Sequence, residues 1–147
     1  MPGFYPSPDV SFEISPRKEK ENKASLALSP KVTELESEKT YEDGSTYSGQ
    51  FKADLRHGTG TQTWKDGSKY IGEWQNEKQH GTGVHTQANG NKYDGAWKKG
   101  KVDGKGKLVD ATNGLTYDGD WHEGQRHGFG TEEKEGSSKY VGEFYEG

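Results

Sequence analysis

Histidine recurs directly ahead of a Gly-x-Gly step at His57, His80 and His127, the first pattern in the chain that suggests chemistry. Imidazoles at a fixed interval invite a metal ladder. If the interval marks stacked hairpins, equivalent positions lie about 10 Å apart, which is two strand spacings. Two ligands of one zinc, at bonds of about 2.0–2.1 Å, must sit within about 3.5 Å of each other. The third such position is also Asp103 rather than histidine. The histidines are therefore expected to serve turns, bonding local backbone or packing beside a ring, and no metal or cofactor is expected. Carboxylates are plentiful but fall on a polar face without an apolar pocket to shift their pKa values. No serine or threonine has the His–acid relay of an activated nucleophile. The Gly-x-Gly strings lack the strand-to-helix context of a phosphate loop. No catalytic residues are expected, and the chain reads as a non-enzyme.

The densest basic cluster is Lys98, Lys99, Lys101, Lys105 and Lys107, interleaved with Asp94, Asp103 and Asp110. The interleaving dilutes its field, and a solvated turn is the plainer reading. Net charge is −4, with both signs mixed throughout. That weighs against nucleic acid as a partner, because such affinity rests on neutralising phosphates.

The elements that carry these residues repeat. Tyr-x-Gly-x-Trp/Phe begins at Tyr47, Tyr70, Tyr93, Tyr117 and Tyr140, at steps of 23, 23, 24 and 23 residues. A short fixed period signals a repeat architecture. Within a unit the period is two, which places Tyr47, Gly49 and Phe51 on one strand face. Tyr70/Trp74, Tyr93/Trp97, Tyr117/Trp121 and Tyr140/Phe144 follow suit, while the opposite face is mostly polar. A second strand carries Gly58/Gly60, Gly81/Gly83, Gly104/Gly106 and Gly128/Gly130, expected to share one face. Glycine weakens a strand unless something approaches its bare backbone, and the expected visitor is a neighbouring ring. Asp43-Gly44, Asp66-Gly67 and Asn89-Gly90 are expected to make tight hairpin turns that need positive φ.

Composition agrees with a thin structure. Apolar residues are 26% of 147, too few for a thick two-layer core, yet aromatics reach 12% and glycines number 22. The predicted fold is all-β: an elongated, single-layer, twisted antiparallel sheet of stacked hairpins over residues 40–147. Residues 1–39 hold no repeat and read as a tail, disordered or ordered by a partner. Lys31 to Lys39 within it has the composition of a short helix, too short to stand alone. Ser15-Pro-Arg-Lys18 reads as a proline-directed phosphorylation site at Ser15, where a phosphate would add roughly −1.5 to −2 charge. There are no cysteines, no apolar run long enough for a transmembrane helix, and no signal-peptide pattern at Met1–Pro6, so a cytoplasmic setting is expected. The last unit reaches Glu146-Gly147 without its Gly-x-Gly strand, so an open sheet edge is expected, suited to a partner, a second copy or the tail.

The Tyr-x-Gly-x-Trp/Phe step, the charged gap ending in His-Gly-x-Gly and the Asp/Asn-Gly turn together resemble the MORN (membrane occupation and recognition nexus) repeat. Four full units and one partial unit over residues 41–147 carry the resemblance. It implies an elongated β-hairpin array, and it implies that the lysine cluster is the residue set to test for acidic phospholipid. The segments Asp-Leu-Arg-His-Gly and Gly-Gln-Arg-His-Gly are also similar to those of radial-spoke-head members of ciliary axonemes. A MORN unit often has aromatics two and four residues past Gly-x-Gly. Here those positions are Gln62/Trp64, His85/Gln87, Leu108/Asp110 and Glu132/Lys134, so a thinner, wetter array is expected.

Two functional expectations follow. The first is a scaffold in a cytoskeletal assembly, with the axoneme of a cilium or flagellum as its place. It would bind a helix or strand of other proteins through its tail and an aromatic groove lined by Tyr47, Phe51, Tyr70, Trp74, Tyr93, Trp97, Tyr117, Trp121, Tyr140 and Phe144. The alternative is a peripheral membrane adaptor that uses the lysine cluster. For the aromatic row itself, enclosure as core and exposure as a groove are both open.

Overall fold

The computed structural model describes residues 35–145, and most of the tail, Ser15 included, lies outside that range. Ten strands form one open antiparallel sheet in strict chain order. They are β1 (Leu35–Thr40), β2 (Thr46–Lys52), β3 (Leu55–Thr63), β4 (Lys69–Gln75) and β5 (Lys78–Thr86), then β6 (Lys92–Lys98), β7 (Lys101–Asp110), β8 (Leu115–His122), β9 (Gln125–Lys134) and β10 (Lys139–Phe144). The sheet starts earlier than residue 40. Residues 35–40 are a strand paired with β2 from Leu35↔Phe51 to Thr40↔Thr46, where a short helix was one expectation. Pairing with a neighbouring edge overrides the weak helical preference of so short a segment.

Two kinds of turn alternate along the meander. The tightest lie between the strands of one repeat, at Ala53-Asp54, Asn76-Glu77, Lys99-Gly100 and Glu123-Gly124. Both residues of each pair have positive φ, from 49° to 89°. That matches the twist of the flanking strands, and six of these eight residues are not glycine. The Asp/Asn-Gly turns between repeats are longer than expected. Tyr41 N–H donates to the Ser45 carbonyl at 2.9 Å and Gly44 N–H to the Tyr41 carbonyl at 3.0 Å. Three residues thus make the loop, with only Gly44 left-handed, at φ 84°. The Asp43 carboxylate accepts from Ser45 N–H at 2.9 Å and fixes the turn; Asp66 and Ser68 repeat the bond at 2.9 Å.

The two glycines of each His-Gly-x-Gly step do not share a role. Gly49 pairs with Gly60, yet Phe51 pairs with Arg56, so β3 carries extra residues at a bulge around Gly58. Gly58, Gly81, Gly104 and Gly128 all have positive φ. A Cβ on Gly58 or Gly81 would meet the side chain of Gln50 or Glu73, not a ring. Those side chains close the bulge: Gln50 Oε1 accepts from Thr59 N–H at 2.7 Å and Glu73 Oε1 from Thr82 N–H at 2.9 Å. Only the second glycine receives the ring. A period-two reading misplaced the first because a bulge breaks that period.

Each repeat also grips the one before it. The tight-turn N–H groups of Glu77, Gly100 and Gly124 donate to the carbonyls of Arg56, Gln79 and Val102 at 3.0, 2.9 and 2.9 Å. Stability is therefore a matter of nearest neighbours.

Candidate functional site

The aromatic face is built by one arrangement repeated. Tyrosine reaches along its own strand and donates three residues ahead: Tyr70 to the Glu73 carbonyl at 2.9 Å, Tyr93 to Ala96 at 3.0 Å, Tyr117 to Asp120 at 2.8 Å. The tryptophan of the next repeat packs edge-on against that ring. Tyr47 meets Trp74 at 5.4 Å between centroids, Tyr70 meets Trp97 at 5.2 Å, and Tyr93 meets Trp121 at 5.4 Å. Such edge-to-face pairs add about 0.5–1.5 kcal/mol beyond burial. The indole N–H reaches back across the junction: Trp74, Trp97 and Trp121 donate to the carbonyls of Gly60, Gly83 and Gly106 at 3.2, 3.1 and 3.0 Å.

Burial divides the ten aromatic residues expected to line a groove. Tyr47, Tyr70, Trp74, Tyr93, Tyr117 and Trp121 are enclosed, none more than 9% exposed. They are core. Phe51, Trp97 and Phe144 are half-buried, and Tyr140 is 51% exposed. Enclosure pushes the Tyr47 and Tyr93 phenols up to about 12 and raises Tyr70 further, because the phenolate would lose its hydration. At the last hairpin, Phe129 of β9, Tyr140 and Val141 of β10 and Tyr145 just beyond it are exposed, and β10 has one strand neighbour among the described residues.

His80 and the residue equivalent to it in the third repeat serve the next tight turn. His80 Nδ1 accepts from Lys99 N–H at 3.4 Å, and Asp103, at the equivalent position, accepts from Glu123 N–H at 3.1 Å. Among the described residues no group of three or more His, Cys, Asp or Glu side chains is placed to hold a metal ion. The lysine cluster is partly neutralised. Lys101 pairs with Glu123 at 2.7 Å and Lys105 with Asp120 at 2.6 Å. Lys107 stands in register between Asp94 and Asp118. Lys98 and Lys99 are exposed at the tight turn.

A set of residues that sequence reasoning passed over lies beside the ring row. Arg56 lays its guanidinium over Trp74, 4.6 Å from the ring centroid, and also faces Tyr41 at 5.6 Å. It pairs with Glu77 at 2.8 Å and donates to Gln62 Oε1 at 2.8 Å. In the fourth repeat Arg126 takes the same station, 5.7 Å from both Tyr117 and Phe144 and paired with Glu132. The signal was available at the position nine residues after each repeat tyrosine. It reads Arg56, Gln79, Val102, Arg126 and varies where its surroundings repeat.

Four consecutive matches to the MORN repeat model, at residues 47–69, 70–92, 93–114 and 117–136, cover more than half of the chain. The chain belongs to the MORN repeat family. Repeats of this family are in general protein- or membrane-binding scaffold modules, and the proteins built from them are typically non-catalytic. No curated protein matches the chain.

Proposed function

We propose that this chain is a non-enzymatic scaffold that binds other proteins along its aromatic face, in a cytoskeletal assembly and specifically in the ciliary axoneme. The observation that carries the protein-binding part is the half-buried indole pair Trp64 and Trp97, which flank a shallow, open stretch of that face. Half-exposed tryptophan is costly to leave in water and is enriched where partners dock. The axonemal placement rests on the similarity of the Arg-His-Gly segments to radial-spoke-head proteins. The membrane alternative has less support, since Lys101 and Lys105 already hold carboxylates.

Co-sedimentation separates the two. The full chain should pellet with salt-washed axonemes and remain in the supernatant with phosphatidylserine vesicles. Trp64→Ala should weaken the axonemal binding. Binding to acidic vesicles that fades with salt and disappears when the five lysines become glutamate would instead establish the membrane reading.

A further inference from the structure

The repeats offer an internal comparison at the station held by Arg56 and Arg126. In the first repeat a guanidinium fills the space beside Tyr41 and Trp74. In the fourth it fills the space against Tyr117 and Phe144. In the third, Val102 and Leu108 close the space by packing on the Tyr93–Tyr117–Trp121 cluster. The second repeat has neither an arginine nor an aliphatic pair at this station. Gln79 stands where the others have Arg or Val, His85 where they have Gln62, Leu108 or Glu132, and Gly100 where the first has Glu77. A shallow, widely open slot of about 680 Å³ results, flanked by Trp64 and Trp97 with His85 between them. The imidazole meets both indoles edge-on, at 5.5 and 6.2 Å.

The rim has a sign. Asp43 and Asp66 line the slot together with one cation, Lys65. Both carboxyls sit below the usual carboxylate range because the Ser45 and Ser68 hydroxyls donate to them, so both are charged at neutral pH. Burial lowers the His85 pKa and keeps its ring neutral. Two aromatic walls and a net negative rim suit a flat, weakly hydrated cation, which stacks on indole better than an ammonium does.

We propose that the slot between Trp64 and Trp97 receives an arginine side chain of a protein partner, completing in trans the station that Arg56 and Arg126 complete in cis. The assignment rests on the protein-binding reading above and names the side chain that reading requires. It gives the array one address among four similar repeats, because the other three stations are closed by the chain itself.

The test is a titration of the full chain with N-acetyl-arginine amide, following the indole N–H resonances of its four tryptophans. Trp64 and Trp97 should shift saturably, with a dissociation constant of roughly millimolar order for a single side chain, while Trp121 stays still. N-acetyl-citrulline amide, the same shape without charge, should bind about tenfold more weakly. Gln79→Arg combined with His85→Gln gives the second repeat the Arg and Gln of the first and should abolish the response in a folded protein. Trp64→Ala, at a half-buried position, should abolish it too. No saturable shift, equal binding of citrulline, or a response that survives the double substitution would overturn the proposal. Tighter binding after Arg17→Ala would show the chain's own tail as the occupant and overturn the partner assignment. Axonemal binding without an arginine response defeats only the slot; an arginine response without axonemal binding defeats only the axonemal placement.

Discussion

The hydroxyl of Tyr70 occupies the space that a side chain on Gly83 would need: a Cβ there would lie 2.2 Å from the phenol oxygen. The same collision recurs between Tyr47 and Gly60 and between Tyr93 and Gly106, at 2.2 and 2.1 Å. The repeat tyrosine and the second glycine are one device, a ring lying flat on bare backbone across a hairpin. Gly83→Ala should therefore displace Tyr70 and destabilise the array by about 3 kcal/mol, the upper end of overpacking costs. Gly67→Ala is the control, since nothing lies within 4 Å of a Cβ there and only its φ of 88° is strained. That strain costs about 1–2 kcal/mol. Urea midpoints of the two variants decide it, and equal midpoints would refute the ring-on-glycine account.

Arg56 should not tolerate lysine. Its guanidinium stacks on Trp74 at 4.6 Å while bonding Gln62 and pairing with Glu77, both at 2.8 Å. An ammonium satisfies only one of those demands at a time. Arg56→Lys should cost about 1–2 kcal/mol, mostly through lost stacking and fork geometry. The Glu77 pair, partly open to solvent, contributes at most about 0.5–1 kcal/mol of that. A double-mutant cycle between Arg56→Gln, which removes the charge, and Glu77→Gln measures the pair, and a coupling as large as the Arg56→Lys loss would show that charge rather than stacking dominates.

The sequence carried the sheet plainly, since Tyr47, Tyr70, Tyr93 and Tyr117 mark strands at a fixed period and each glycine partner sits at a fixed offset. It did not carry the bulge at Gly58 and Gly81, because a glycine that needs φ of 60° and one that needs space for a ring look identical in a string. It also hid the tight turns at Ala53-Asp54 and Asn76-Glu77, where no glycine announces a left-handed pair. The arginine stations were hidden for a different reason. Arg56 meets Tyr41 from one turn, Gln62 from its own strand and Trp74 from the next repeat, and only stacking brings those three together. Burial of the tyrosines was equally a product of stacking, so alternation alone left enclosure and groove unresolved.

Alkaline pH should unfold the array over a definite window. Burial raises the Tyr47 and Tyr93 phenols to about 12, against about 10 for a free phenol. The folded state holds these protons more tightly than the unfolded chain, so stability falls wherever the unfolded state has released more of them. The contribution is fully present below pH 10 and lost as pH rises through about 12. Tyr70 and Tyr117 are raised for the same reason and steepen the loss. Phenolate absorbance and circular dichroism should change together in this window. Ionisation of the enclosed tyrosines near pH 10 with the sheet intact would contradict the enclosure.

The indole bonds between repeats give a graded prediction that the chain's own fifth unit helps to frame. Phe144 takes the place of tryptophan there and keeps the edge-on contact, 4.9 Å from Tyr117, with no N–H to donate. A phenyl ring is thus sterically acceptable at this station, and substitution isolates the hydrogen bond together with some lost ring area. Trp121 donates at 3.0 Å within an enclosed site, whereas Trp97 donates at 3.1 Å from a half-buried ring that water can approach. Removing a donor costs most where the orphaned acceptor cannot find water. Trp121→Phe should therefore cost about 2–3 kcal/mol and Trp97→Phe about 1 kcal/mol, read from urea midpoints at constant m-value. If the two variants lose equal stability, ring size rather than the bond to the preceding glycine carbonyl sets the cost. The tryptophans would then add packing alone to the backbone bonds that join the repeats.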